Sequence, residues 1–103
     1  MYVGTDRPAL KYLYNFVRPH ITTDWYDIGV ELLDPGDEII LDTVKGNHPG
    51  DADKCAAQML KSWLARKPDA SWNHLVEALR KPNIKLNALA AKIDEELSKG
   101  TVT

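Results

Sequence analysis

The chain has 103 residues and a formal net charge of −2, and 44% of its residues are hydrophobic and 27% charged. This length supports one domain with a core of its own, and the composition is ordinary for a globular protein. The charge argues against a general nucleic-acid or anionic-membrane binder, no apolar run approaches the roughly 20 residues of a membrane span, and one cysteine, Cys55, excludes an intramolecular disulfide.

The first predicted helix meets a proline near its end. Its apolar residues recur at helical spacing and are Leu10, Leu13, Tyr14, Val17 and Ile21. Pro8 suits the first turn, where the missing N–H costs nothing. Pro19 is predicted to end or kink the helix, because the residue before a proline, Arg18, is pushed away from helical dihedral angles.

Two short helices follow, separated by a turn at residues 34–37. Thr23 and Asp24 are typical N-cap residues for the second helix, whose apolar residues are Trp25, Ile28, Gly29, Leu32 and Leu33. The third helix has Ile39, Ile40 and Val44 as its apolar residues. Residues 45–50 are typical of a loop, in which Gly46 or Asn47 would supply a left-handed residue after the helix.

The last three helices show the clearest periodicity. Asp51 or Asp53 caps the fourth, and Asp69 or Ser71 caps the fifth. The apolar residues of the three helices are Ala56, Met59, Leu60, Trp63 and Leu64; Trp72, Leu75, Val76 and Leu79; and Leu86, Leu89, Ala90, Ile93 and Leu97, the last set ending near Gly100. Six helices with short loops and no strand-like alternation predict an all-α, compact antiparallel bundle.

No residue pattern is typical of a catalytic or metal site. The three histidines are far apart, and none stands at ligand spacing from Cys55. Ser71 and His74 are one helical turn apart and could be neighbours, although a serine at a helix start is typically a cap. Cys55 lies near a helix start, where the dipole favours a thiolate; a small buried side chain is the alternative. We therefore predict no enzymatic activity, no catalytic residue, no metal and no cofactor.

Several segments, taken in order, resemble the death domain family over about residues 7–98. The strongest is residues 70–79, close to the A-T/S-W-x-x-L-x-x-A-L pattern of the fifth helix. The second-helix segment is similar to W-x-x-L-A/G-x-x-L-G/L. The matching segments are residues 25–33, 37–39 followed by Val44, 51–63, 70–79 and 86–93.

The resemblance implies a Greek-key bundle of six antiparallel helices without enzymatic activity. It implies that the partners are other death domains, identical or different, in helical or higher-order oligomers that build apoptotic or inflammatory signalling complexes. It also implies a cytoplasmic location, which includes the intracellular part of a receptor. Residues 1–6 would be an N-terminal extension, residues 7–98 the domain and residues 99–103 a tail.

The distribution of charge suggests where such a module binds. Residues 1–53 carry four basic and ten acidic residues, whereas residues 54–103 carry nine basic and five acidic ones. Oppositely charged patches on one body suit head-to-tail association. The predicted acidic patch is Asp34, Asp37, Glu38 and Asp42. The predicted basic patch is Lys54, Lys61, Arg66, Lys67, Arg80, Lys81 and Lys85.

Two other functions stay open at this point. A helical DNA-binding module would use the fourth and fifth helices as a helix-turn-helix, although residues 71–80 carry few basic or amide side chains outside the apolar face. A death domain could also act only within its own protein, as an autoinhibitory contact in a larger receptor or ankyrin-type protein.

Overall fold

A computed structural model describes residues 7–99. Over this range the chain forms six helices and no strand, which confirms the predicted all-α, six-helix fold. The first, α1, combines an α-helical turn, a π-helical segment and a 3-10 turn. The bounds are Leu10–Tyr12, Leu13–Val17 and Arg18–His20 for α1, Trp25–Leu32 for α2, Glu38–Asn47 for α3, Ala52–Arg66 for α4, Trp72–Leu79 for α5 and Asn87–Lys99 for α6.

The predicted N-terminal extension, residues 1–6, and residues 100–103 of the predicted tail lie outside the described residues. Lys99, the first residue of that tail, is the last residue of α6. The domain boundaries at residues 7 and 98 stay predictions.

Helix α1 changes geometry ahead of its proline. The Arg18 N–H bonds the Leu13 carbonyl five residues earlier, and in the same register the Tyr14 carbonyl would accept from residue 19. Pro19 has no N–H, and instead Arg18 Nε donates to the Tyr14 carbonyl at 3.0 Å. Arg18 keeps helical φ and ψ of −50° and −46°, so the prediction that Pro19 displaces it from that region is wrong. Helix α1 instead accommodates Pro19 through a succession of α, π and 3-10 turns.

The core is built around three buried tryptophans. Trp63 and Trp72 are almost completely buried, and Trp25 is nearly so. Each such side chain removes roughly 150–250 Å² from water. The inner faces predicted for α4, α5 and α6 are confirmed, because every apolar residue named for them is buried except Leu86, which is half-buried ahead of α6.

Two helix caps are settled by hydrogen bonds. The Asp51 carboxylate accepts from the Lys54 N–H at 3.1 Å, and the Ser71 hydroxyl accepts from the His74 N–H at 3.3 Å. Asp24 stands at the N-cap of α2, but its side chain makes no capping bond. Helices α4 and α5 therefore begin where side chains replace missing backbone partners.

The predicted inner face of α3 is partly wrong. Ile39 is 70% exposed, whereas Leu41, which was left out of that face, is fully buried together with Val44. Helix α3 also continues to Asn47, so residues 45–47 are helical rather than loop. The left-handed glycine after it is Gly50, with φ of +74°, and neither Gly46 nor Asn47 has a positive φ.

Gly29 lets α2 approach its neighbours closely. A Cβ atom at this position would lie 2.6 Å from Leu41 Cδ2 and 3.1 Å from Met59 Cγ. Both distances are shorter than ordinary van der Waals contact. The missing side chain of Gly29 therefore sets the spacing of α2 against α3 and α4.

Candidate interaction surface

The four predicted acidic residues lie on the α2–α3 loop and the first half of α3. Asp34 is in the loop, and Asp37 is the N-cap of α3. Glu38 accepts from the Gly36 N–H at 2.7 Å, and Asp42 accepts from the Tyr26 hydroxyl at 2.7 Å. The four carboxylates therefore follow one another along the chain but contact different neighbours, because Asp42 faces α2 through Tyr26 whereas Asp34 and Asp37 face the end of α4.

The hydrogen bond from Tyr26 to Asp42 also changes the pKa of the tyrosine. Asp42 accepts the phenolic proton, and this bond, followed by burial and the nearby negative charges of Asp42 and Glu38, raises the pKa of Tyr26 above 10.0. The contact therefore ties α2 to α3 through a protonated phenol.

The seven predicted basic residues fall in three separate places. Lys54 and Lys61 are exposed and seven residues apart on α4, which puts them on the same face two turns apart. Arg66 and Lys67 stand at the end of α4. The remaining three, Arg80, Lys81 and Lys85, are at the connection between α5 and α6.

Arg66 and Lys67, named here the basic corner, are paired with the acidic loop. Arg66 Nη2 lies 3.2 Å from Asp37 Oδ1, and Lys67 Nζ contacts Asp34 Oδ1. The pairing follows from topology, because α3 begins where α4 ends. At this corner the predicted acidic and basic sets meet within one molecule instead of lying on opposite faces.

The Lys67 ammonium is perturbed by this contact. Its hydrogen bond to Asp34 is the main cause of a raised pKa, which burial opposes and nearby carboxylates support. The side chain of Lys67 is 23% exposed and that of Asp34 is 67% exposed. The carboxylate is thus the more accessible partner of the pair.

The basic corner is also held from the opposite side by Arg7, a residue that carried no motif in the sequence. Arg7 Nη1 donates to the carbonyls of Lys67 at 2.7 Å and Pro68 at 3.2 Å, and Nη2 donates to the carbonyl of Leu64. Leu64 lies in the last turn of α4, where backbone carbonyls lack helical partners, and Lys67 and Pro68 follow the helix. Arg7 therefore gives the last turn of α4 a partner and also contacts the turn after it, whose Lys67 carbonyl accepts from the Ala70 N–H at 3.0 Å as well.

Other predicted basic residues are partly committed inside the molecule. Arg80 Nη2 lies 3.0 Å from Asp94 Oδ2 and so links α5 to α6. Lys54 Nζ lies 3.9 Å from Asp51 Oδ2. Lys85 has a left-handed φ of +57°, and its N–H bonds the Lys81 carbonyl at 2.8 Å. Exposed ion pairs of this kind are weak, about 0.2–1 kcal/mol each.

A polar cleft of about 220 Å³ lies between α2 and α5. Its lining includes Glu31, Trp63, Lys67, His74 and Lys81. Carboxylate, ammonium and imidazole groups line it together with the indole of Trp63, which is almost completely buried. The cleft joins the basic corner to α5 and does not gather groups of one chemical type.

The side chains considered as nucleophiles from the sequence, those of Ser71 and Cys55, make structural contacts instead. The Ser71 hydroxyl caps α5, as described above, and Cys55 is buried with its Sγ 3.4 Å from the His48 carbonyl. Burial, together with Asp51, raises the pKa of the Cys55 thiol, so the helix dipole does not activate it. Within residues 7–99, no three His, Cys, Asp or Glu side chains are grouped so that they could hold a metal ion.

The helix proposed for DNA recognition offers a small polar surface. Five of the eight residues of α5 are buried. Its exposed residues are Asn73, His74 and Glu77, and the last would face a phosphate backbone with a like charge. Among the helices of residues 7–99, none has both the length and the apolar character needed to cross a membrane.

Comparison with known proteins assigns the bundle to a family. A family model described as Death domain matches residues 10–97, which is most of the chain, and this confirms the resemblance found in the sequence. Comparisons with the curated proteins and with the solved structures gave no significant match. Members of the matched family are generally non-catalytic interaction modules that typically bind other death-fold domains.

Proposed function

The chain belongs to the death domain family, and on this premise we propose that it assembles signalling complexes through complementary acidic and basic helix surfaces. The proposed surfaces are the acidic α3 side and the exposed basic residues of α4 and the α5–α6 connection. The match of the family model over all six helices carries this proposal.

The charged residues support an electrostatic mode of binding. Lys54 and Lys61 give α4 an exposed basic face, while Glu38 and Asp42 give α3 an acidic one. Complementary charges of this kind mainly set specificity and the rate of association. Salt would weaken the contact, because the Debye length is only about 10 Å at 0.1 M ionic strength.

The pathway and location are part of the same proposal. A domain that binds other death domains would act in apoptotic or innate-immune signalling, in the cytoplasm or as the intracellular part of a receptor. Its binding would be homotypic and would extend to oligomers when each copy uses both surfaces.

A charge-swap experiment tests the proposal. Glu38→Lys with Asp42→Lys reverses the acidic face, and Lys54→Glu with Lys61→Glu reverses the basic face; Asp37 is left unchanged because it pairs with Arg66. Self-association would be measured by sedimentation velocity at about 0.05 M and about 0.5 M salt. Each double variant alone should associate roughly tenfold or more weakly than the wild type, since facing like charges are costly.

Mixing the two reversed variants supplies the control. Their charges are again complementary, so the mixture should recover much of the lost association, while circular dichroism shows that both remain helical. A mixture that stays as weak as either variant would remove these faces from the interface. Salt-sensitive binding to random duplex DNA in a gel-shift assay, with no self-association, would favour the DNA-binding alternative.

A further inference from the structure

The pairing at the basic corner carries a consequence for how this surface is used. We propose that the α2–α3 loop masks the basic corner. In the free molecule Asp34 pairs with Lys67 and Asp37 pairs with Arg66. In the complex, carboxylates of a second copy take the place of these two aspartates. This inference rests on the proposed function, because it adds the basic corner to the basic surfaces that the acidic α3 side of another copy would bind.

The masking groups stand at the edge of the core, Asp34 within the α2–α3 loop and Asp37 at the N-cap of α3. Leu33 is buried and anchors the loop at the end of α2. Beyond it, Asp34 is 67% exposed, and the space around Gly36 is open, with no atom within 4 Å of where a Cβ would lie. The backbone of this loop is held by a single turn bond, from the Asp37 N–H to the Asp34 carbonyl at 3.0 Å, and by the bond from the Gly36 N–H to Glu38.

The masked groups are covered to different degrees, since the side chain of Lys67 is 23% exposed and that of Arg66 is 51% exposed. Lys67 belongs to a turn whose carbonyls are bound by Arg7, and Arg66 is the last residue of α4. The basic corner is thus tied to the end of α4, whereas the loop that carries Asp34 has few contacts of its own.

The strength of the mask suits exchange between partners. Exposed ion pairs are weak. Each pair would therefore lower the affinity of the basic corner for a competing carboxylate by only about 1.4- to 5-fold. A second copy offers the matching chemistry, since its α3 side presents Glu38 and Asp42 next to its own loop. Acidic groups arriving together from that face can displace two weak pairs.

The masking proposal and simple charge complementarity predict opposite changes in association affinity when Asp34 and Asp37 are neutralised. If Asp34 and Asp37 served only as acidic contacts for a partner, neutralising them would weaken association. If they cover the basic corner, neutralising them in one copy should strengthen its binding to the acidic face of an unaltered copy. The two ideas are thus separated by the direction of the change.

The test titrates a fluorescently labelled variant with unlabelled wild-type chain at about 0.05 M salt, so that wild type supplies the acidic face. Labelled Asp34→Asn should bind about 1.4- to 5-fold more tightly than labelled wild type, and Asp34→Asn with Asp37→Asn about 2- to 25-fold. The matched control is Asp53→Asn, which also removes one carboxylate from an exposed pair, with Arg18 at the other end of α4. It should change binding less than about twofold.

Adding Arg66→Gln and Lys67→Gln to the double variant should erase the gain, because no basic corner is left to expose. Equal or weaker binding of Asp34→Asn than of the Asp53→Asn control overturns the masking proposal. If the double variant loses stability on thermal unfolding, the binding of Asp34→Asn alone is compared with that of the Asp53→Asn control, because Asp34 is exposed and its neutralisation should leave the fold intact.

The outcomes also separate this inference from the function on which it rests. One outcome is that reversing Glu38 and Asp42 weakens self-association while neutralising Asp34 and Asp37 does not change it. The proposed function would then stand, and the masking proposal would fail. If neither wild type nor any unmasked variant binds the wild-type chain, a second copy is not the partner of the basic corner and the masking proposal fails. The proposed function would then require a different death domain as partner.

Discussion

Helices α3 and α5 are of similar length but are held in different ways. Five of the eight residues of α5 are buried, and Ser71 caps its first turn. Only two of the ten residues of α3 are buried, and no side chain caps its start. Helix α5 is thus fixed by burial along its length, whereas α3 depends on Leu41, Val44 and contacts at its ends. A helix anchored at few points keeps most of its surface available to a partner.

The largest effect is expected where burial is greatest. Trp72→Ala should lower the free energy of unfolding by about 3–5 kcal/mol, because it empties a large part of the core. Chemical denaturation followed by circular dichroism would measure it, with His74→Ala on the exposed side of the same helix as control. A loss below about 1 kcal/mol would show that α5 is not held by its buried face.

The next comparison is between a buried residue of α3, Leu41, and an exposed one, Ile39. Leu41→Ala should cost about 2–5 kcal/mol, whereas Ile39→Ala should change the unfolding free energy by less than about 0.5 kcal/mol. The same denaturation measurement applies to both. Equal costs at the two positions would mean that α3 packs in a different rotation from the one described.

A smaller effect is expected where α3 meets α2. Gly29→Ala adds a methyl group against Leu41 and should cost about 1–3 kcal/mol from overpacking, offset by about 1 kcal/mol of better helix propensity. In a Leu41→Ala background the contacts with Leu41 are removed and only the 3.1 Å contact with Met59 Cγ stays tight, so the same substitution should cost less. A cost that is unchanged in that background would place the clash elsewhere.

Removing the side chain at the start of α5 should cost more unfolding free energy than removing the one at the start of α3. Ser71→Ala removes a capping bond from α5 and should cost about 1 kcal/mol. Asp37→Ala removes only an exposed ion pair from the start of α3 and should cost about 0.2–1 kcal/mol. Thermal unfolding of the two variants side by side would show the difference, which vanishes if Asp37 caps α3 in solution.

The smallest effect concerns the bond between α2 and α3. Because the pKa of Tyr26 is raised in the folded chain, the contribution of its bond to Asp42 is complete below pH 10.0 and is lost as the pH rises through the folded pKa. Ultraviolet titration of the phenolate should show this tyrosine ionising later than a free one, and Asp42→Asn should lower its pKa. Tyr26→Phe identifies the transition by removing it.

Periodicity predicted the buried faces of α4, α5 and α6 because their apolar residues are separated by polar ones, which fixes the rotation of the helix. In α3 the run Ile39, Ile40, Leu41 has no such phase. Leu41 turns inward and fills the space beside Gly29, a tertiary contact that the local pattern does not contain. The π turn of α1 likewise depends on how Arg18 compensates for Pro19.

The candidate surface shows the same division between local and distant information. The sequence placed the charged residues on polar helix faces, and the structure leaves most of them exposed. The pairing of Arg66 with Asp37 joins positions 29 residues apart, and Arg7 reaches the end of α4 from 57 residues away. No local pattern encodes these contacts, because they depend on which helix ends the fold brings together.

The burial of all three tryptophans also gives this chain an optical reporter of its own. Indole groups removed from water emit at shorter wavelengths, and each of the three lies in the core, with the Trp72 ring edge-on to Tyr12 at 6.0 Å between centroids. None of the surface substitutions above alters an indole. A variant that loses association while its emission spectrum is unchanged has therefore lost a contact and kept its fold.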